Sequence, residues 1–439
     1  MNKNMLQWIG AALLALVVVF LHQGPVVVGK NLIYQHATVE AKVRTLILER
    51  YFRKIDDKKL HEGALKGMFS VLDPYSAYIP PKKVRDFDLD TTGKFGGLGI
   101  IIEIRDGYLT VVTPLQGSPA QKAGILAGDK ILEIKYQKKG KWYIRSGKFQ
   151  DTEEARQVLL GRPGTQIHLF VQHESGQREE ITITRAEITV RSVKRVKILD
   201  PKNGIGYIRI ASFQSDTTRE FEKALQNFQT YGVRSLILDL RFNPGGLLDE
   251  AISIADEFLD SGVIVEVRGR QEGSHKFMAH PGGKAQFLKK VIILVNRGSA
   301  SASEIVSGAL QDHKRALLVG ERTWGKGSVQ SIFEIPEGRD DEGRVIKSKV
   351  KLTTALYYTP SGRSIHRILS NEKKEGEEPK GGLEPDVEVK TTTREKAYLM
   401  RKQNEEDIEI EKNLAKGKDN LVAPPENLKE KKAKFFQIL

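Results

Sequence analysis

The 439-residue chain predicts a multidomain α/β protein, and three observations lead to that class. Between about residues 191 and 390, short apolar stretches at 204–210, 235–240, 291–295 and 316–319 alternate with helical patterns at 219–228, 249–259 and 303–311. Alternation of this kind builds βαβ units and a mainly parallel, buried sheet. Residues 93–188 read instead as short strands with two brief helices, a smaller unit set before the α/β region. Ahead of both, residues 31–70 have helical periodicity.

At the start of the chain, Leu6 to Leu21 carry no charge and the uncharged run continues to Gly29, behind a short opening with one lysine. This pattern predicts an export signal. Its apolar length lies between a cleaved signal and a spanning helix. Without a small-x-small cleavage site, an uncleaved membrane anchor over residues 1–30 is the favoured expectation, a cleaved signal the other.

In the helical region, residues 31–92, Ile47, Leu48, Tyr51 and Phe52 fall on one helical face, and Leu60, Ala64 and Met68 repeat the theme. Asp73-Pro74 and Pro80-Pro81 then break the chain. The unit at 93–188 opens with a glycine-rich run into strands ending at Ile104 and Val112. Ser118-Pro119 supplies an N-cap and a first-turn proline for a short helix. Asp151-Thr-Glu-Glu154 starts a second helix whose Ala155, Val158 and Leu159 share a face. Strands at 130–134, 166–172 and 180–185 complete it. From residue 371 onward charge dominates, and residues 396–439 are expected as an exposed helix or a disordered tail.

Composition narrows the chemistry. The formal net charge is +14 and the pI about 9.5, a balance that can attract nucleic acid or anionic lipid. No recognition helix, aromatic RNA-binding signature or zinc-knuckle spacing accompanies it, so a nucleic-acid partner is not expected. Absence of cysteine excludes disulfides, thiol catalysis and cysteine-ligated zinc. No H-E-x-x-H occurs, and neither a metal nor another cofactor is expected.

Two stretches could carry chemistry. Asn296-Arg-Gly-Ser-Ala-Ser-Ala-Ser-Glu304 follows a predicted strand and opens a helix. A serine at such a junction meets N–H groups that favour negative charge, as a nucleophile beside an oxyanion hole requires. Ser301-Ala-Ser-Glu304 is equally an S-x-x-E capping box. The nearest histidine, His313, lies among charges at a predicted helix end and is a poor base. The second stretch, Gly320-Glu-Arg-Thr-Trp-Gly-Lys326, fits the opening of a phosphate-binding loop. Gly327 stands where that loop needs Ser or Thr, and a strand follows where it needs a helix. Lys326 between two glycines, beside Trp324 and an apolar strand, suits a desolvated neutral base better. In a strand, Gln330 would share its face and could orient the amine without favouring its charge. Asp239-Leu-Arg-Phe-Asn-Pro-Gly-Gly246 is a further strand-to-glycine turn, either a plain turn or a source of backbone donors.

Together these residues resemble the C-terminal (tail-specific) processing peptidases, serine peptidase family S41. The resemblance runs from about 35 to 390 through Asp73-Pro-Tyr-Ser-Ala-Tyr78, Gly97-Leu-Gly-Ile100, Asp239 to Gly246, Ser299 to Glu304, Gly320 to Gly327, and Gly382-Leu-Glu-Pro-Asp-Val387. It implies a ClpP/crotonase-like βαβ protease core over residues 189–390, an inserted PDZ domain over 93–188, and a charged tail over 391–439. It further implies Ser301 as nucleophile, Lys326 as general base, Gln330 as its support, and the N–H groups of Ala302 and Gly246 as oxyanion hole. Gly97, Leu98, Gly99 and Ile100 would form the loop that holds a substrate's C-terminus. The expected protein is an exported endopeptidase of the cell envelope or periplasm, anchored in the inner membrane by its N-terminal segment. It acts on protein or peptide substrates, and homo-oligomer formation stays open. The alternatives are a non-catalytic PDZ adaptor and an ATPase using Lys326.

Overall fold

The computed structural model describes residues 26–138, 140–271, 273–340, 343–367, 381–418 and 421–422. The expected signal or anchor lies almost wholly outside them. Among the described residues no helix is long and apolar enough to cross a membrane. The chain divides into two compact units, residues 1–78 and 79–439.

In the first unit, helices Val26–Arg50 and Asp57–Phe69 are linked by an ion pair between Arg44 and Asp57. Asp56 caps the second helix by accepting from the Lys58 N–H at 3.0 Å. The first helix stops at Arg50, so Tyr51 and Phe52 lie beyond it and do not extend the predicted apolar face. Both are exposed, as is Leu48. Asp73 closes a tight turn by accepting from the N–H groups of Tyr75 and Ser76.

In the second unit, residues 94–189 and the chain beyond 193 form two hydrophobic cores that share no residue. The smaller core lies against an antiparallel sheet of strands Ile100–Arg105, Tyr108–Pro114, Lys130–Lys138, Gln166–Gln172 and Arg178–Thr184, in that order. Strand Lys141–Ser146 pairs separately with Lys130–Lys138. Helix Thr152–Leu159 buries Ala155, Val158 and Leu159 against this core, the three positions the pattern put on one face. Its N-cap is Asp151, which accepts from the Glu154 N–H at 2.8 Å.

The larger core is organised by a seven-stranded sheet. Its order is Val387–Glu388, Leu317–Gly320, Lys290–Val295, Ser235–Asp239, Ile205–Ile210, Val193–Asp200 and Leu421–Val422. All neighbours are parallel except Ile205–Ile210 and Val193–Asp200. Ile208, Leu238 and Ile293 are fully buried at the centre, as a sheet covered on both faces requires. Helices Thr217–Thr230, Leu248–Asp256 and Ala302–Asp312 connect these strands. A second sheet had no counterpart in the predicted βαβ pattern. It joins the long ribbon Ser328–Arg339 and Val345–Tyr358 to Val263–Gly269 and Gly273–Met278.

The charged C-terminal region also differs from a free tail. Helix Thr393–Ala415 buries Gln403, Glu411 and Leu414. It pairs Glu406 with Arg195 and Asp407 with Arg209, both from the large sheet. The carbonyl at its end, on Ala415, accepts from Gln121 Nε2 of the smaller unit at 2.6 Å.

Candidate active site

Three serines alternate between strand Lys290–Val295 and helix Ala302–Asp312, and the structure separates them. Ser299 Oγ donates to the Leu240 carbonyl at 2.8 Å and accepts from the Asn296 N–H. Ser303 Oγ donates to the Asn243 carbonyl at 3.0 Å. Both hydroxyls are buried and serve the main chain. Ser301, the middle one, is half-buried and has φ 56°, ψ −115° at the helix N-cap. A non-glycine residue held there costs about 1–3 kcal/mol, a strain that clusters at functional sites.

The glycine turn Gly245-Gly246 packs directly on this corner. A Cβ added to Gly245 would lie 2.8 Å from Ser301 Cβ and 2.9 Å from the Ala302 nitrogen, so no side chain fits. Asn243 joins the two turns: its carbonyl accepts from the Ala300 N–H, and its Oδ1 accepts from the Gly245 N–H at 2.9 Å. Gly245 has therefore committed its donor. The N–H groups of Gly246 and Ala302 have no acceptor among the described residues.

Glu304 is the residue whose importance the sequence understated. It is fully buried, and its carboxylate takes four hydrogen bonds. Oε2 accepts from the N–H of Ser301 at 2.8 Å and of Lys326 at 2.9 Å. Oε1 accepts from the N–H of Gly325 at 2.7 Å and from Thr323 Oγ1 at 2.5 Å. The carboxylate half of the capping box is thus present, but the same group also holds the Gly325-Lys326 loop. Burial raises the Glu304 pKa, and the four donors work in the opposite direction.

Tyr357 bridges the same two residues. Its hydroxyl lies 2.6 Å from the Lys326 carbonyl oxygen and 3.1 Å from that of Ser301. Its one proton is shared between the two carbonyls, more with the nearer. Lys326 is half-buried, and Gly327 beside it abuts residue 366: an added Cβ would sit 2.7 Å from the His366 nitrogen. Thr323 accepts at its hydroxyl from the Leu383 N–H at 2.7 Å. The Gly382-to-Val387 motif therefore anchors the lysine loop.

Gln330 lies just past a register shift in its strand. Strand Ser328–Arg339 begins after Lys326, and its register shifts between Val329 and Gln330. The two-residue period does not carry from 326 to 330. The Gln330 amide donates to Ser328 Oγ at 2.9 Å and Thr353 Oγ1 at 3.2 Å. His313 Nε2 lies 2.8 Å from the Val263 carbonyl oxygen, at the far end of the Ser301 helix.

In the smaller unit, Gly97, Leu98, Gly99 and Ile100 form the corner into strand Ile100–Arg105, which lies at the edge of its sheet. The Leu98 carbonyl accepts from Ala120 and that of Gly99 from Leu115. Ile100, Ile102 and Ile104 pack on the smaller core. Among the described residues no group of three His, Asp or Glu side chains could hold a metal ion.

A strained serine at a helix N-terminus, two unoccupied N–H donors and a lysine fixed to the same carboxylate can support nucleophilic acyl transfer. Comparison with known proteins agrees with that class of chemistry. Residues 204–389 match peptidase family S41, and residues 32–82 match the N-terminal domain of the activating protease CtpB. A carboxy-terminal-processing protease of Bartonella bacilliformis is 40% identical over 81% of this chain and 74% of its own length. The carboxy-terminal processing protease CtpA of Bacillus subtilis is 37% identical over 72% of this chain and 64% of that protein. A solved photosystem II D1 C-terminal processing protease aligns at 29% identity and a TM-score of 0.40, covering 79% of this chain and 86% of that one. The chain belongs to peptidase family S41, a family of serine peptidases.

Proposed function

We propose that this chain is a serine endopeptidase that binds protein C-termini through residues 93–188, acting as a PDZ domain, and cleaves with a Ser301/Lys326 dyad. The observation that carries the proposal is the shared anchor: one oxygen of Glu304 accepts from the N–H of both Ser301 and Lys326. Neutral Lys326 takes the hydroxyl proton as Ser301 Oγ attacks the scissile carbonyl. The N–H groups of Ala302 and Gly246 stabilise the oxyanion. Collapse of the tetrahedral species expels the new amine, which takes a proton from the Lys326 ammonium. Water then attacks the acyl-enzyme, with Lys326 again as base. Gln330 supports the lysine indirectly, by holding Ser328 two residues beyond it.

Strand Ile100–Arg105 has an open edge where an extended peptide can add as a further strand. Helix Thr152–Leu159 forms the opposite wall, the 97–100 loop receives the terminal carboxylate, and an apolar last residue enters between them. Residues 1–30, with their uncharged run, anchor the exported enzyme in the membrane. Recovery of the intact N-terminus in a washed membrane fraction tests this; a shortened, freely released protein would oppose it.

The reaction is tested on an unstructured protein with an apolar C-terminus, without metal or ATP. The wild type should cut it, and Ser301→Ala and Lys326→Ala should each lose about a thousandfold or more in kcat while staying folded. Full activity of Lys326→Ala would put the base elsewhere. An inert wild type whose Ser301 resists acylating probes would favour the adaptor.

A further inference from the structure

The hairpin formed by Lys130–Lys138 and Lys141–Ser146 stands apart from the peptide edge and from the Ser301 corner. From Ile134 to Gln150 the sequence holds six Lys or Arg and no carboxylate: Lys135, Lys138, Lys139, Lys141, Arg145 and Lys148. Among the described residues, strand Lys141–Ser146 pairs only with Lys130–Lys138, as an edge strand.

Its apolar side chains are exposed on both faces of the ribbon. Residues directly opposite each other in an antiparallel pair share a face. Trp142 opposes Gln137 and Ile144 opposes Lys135 on one face, while Tyr143 opposes Tyr136 on the other. Trp142 is 44% exposed, Tyr143 43% and Ile144 65%. The Lys135 ammonium sits 5.4 Å from the Trp142 ring centroid. Among the described residues, Glu133 on the ribbon, Glu154 bound to Arg145, and Glu180 beyond His168 lie toward the base of the hairpin.

We propose that this hairpin docks on an anionic lipid surface, inserting Trp142, Tyr143 and Ile144 among the headgroups while Lys135 and Lys141 meet the lipid phosphates. Two features select lipid over an acidic polypeptide. A protein partner covers one face of a ribbon, whereas headgroups surround it, and here both faces are apolar. Trp and Tyr with flanking cations are also the composition that favours the membrane–water boundary. Cations beside such a surface are attracted by its negative potential. The contact would fix the orientation of residues 94–189 at the membrane whether or not the N-terminal segment is retained.

The test reads Trp142 alone, in the full chain carrying Trp8→Phe and Trp324→Phe. This protein is mixed with vesicles of equal parts phosphatidylglycerol and phosphatidylcholine, with and without brominated acyl chains. Bromine should quench Trp142 on the anionic vesicles, and Lys135→Glu with Lys141→Glu should abolish the quenching. Phosphatidylcholine vesicles alone should give none. No quenching with a natively folded protein would overturn the proposal, as would equal quenching on both vesicle types. A shift of Trp142 emission by polyglutamate, without quenching by brominated lipid, would assign the surface to an acidic polypeptide instead.

Discussion

At the scale of single residues, two groups tie the Ser301 and Lys326 loops together. Glu304 and Tyr357 fix the main chains of Ser301 and Lys326, which come from different loops. Tyr357→Phe keeps the ring and removes the bridge, so it should lower kcat by up to roughly tenfold, with KM little changed. Steady-state kinetics would show this, and an unchanged kcat would make the bridge incidental. Glu304→Gln presents an NH₂ where the carboxylate met only donors, and should cost about 2 kcal/mol or more. Burial also gives this position a pH signature. Because the folded pKa of Glu304 is raised, its contribution to stability is fully present below the unfolded carboxyl's pKa and is lost as pH rises through the folded value. The stability advantage of wild type over Glu304→Gln should therefore shrink as pH rises from the acid side. Urea titrations at several pH values measure it, and an advantage that grows with pH would contradict the assignment. The sequence showed Glu304 only as a local capping signal, because three of its four donors, on Thr323, Gly325 and Lys326, lie some twenty residues away, beyond any short-range pattern. Tyr357 gave no signal at all.

At the scale of elements, legibility followed the range of the interactions. Helix Thr152–Leu159 was readable because cap and apolar face are local, and the short parallel strands because a doubly covered sheet needs continuous apolar runs. The ribbon Ser328–Arg339 and Val345–Tyr358 was half hidden, since its pairing partners and exposed outer half obey no simple alternation. In that ribbon the two-residue period cannot be carried back to Lys326, because the lysine precedes the strand and a register shift follows Val329. In the smaller unit, His173 is held at Nδ1 by Asp129 at 2.7 Å and at Nε2 by Glu179 at 2.6 Å. These bonds, the Glu179 one foremost, raise its pKa above 6.5. The stabilisation is full below about 6.5 and fades as pH rises through the folded pKa. An NMR titration should place the wild-type His173 midpoint above the free value, and loss of Glu179 should bring it down; a wild-type midpoint at or under 6.5 would refute the sandwich.

At the scale of the whole second unit, the C-terminal helix Thr393–Ala415 matters most. Its charge pattern reads as a solvated face, yet Glu406 and Asp407 meet Arg195 and Arg209 while Gln121 reaches Ala415. It thus touches both the large sheet and the smaller unit. Removing residues 393–439 should speed hydrogen exchange in Tyr108–Pro114 and Val193–Asp200, the strands the helix packs against. Unchanged exchange in both would make the helix a passive appendage. The proposed chemistry at Ser301 is read most plainly by acylating the wild-type protein with a serine-directed probe and locating the adduct by peptide mass. One adduct is expected, on Ser301, formed far more slowly in Lys326→Ala. An adduct on Ser299 or Ser303, or equal labelling without Lys326, would contradict it.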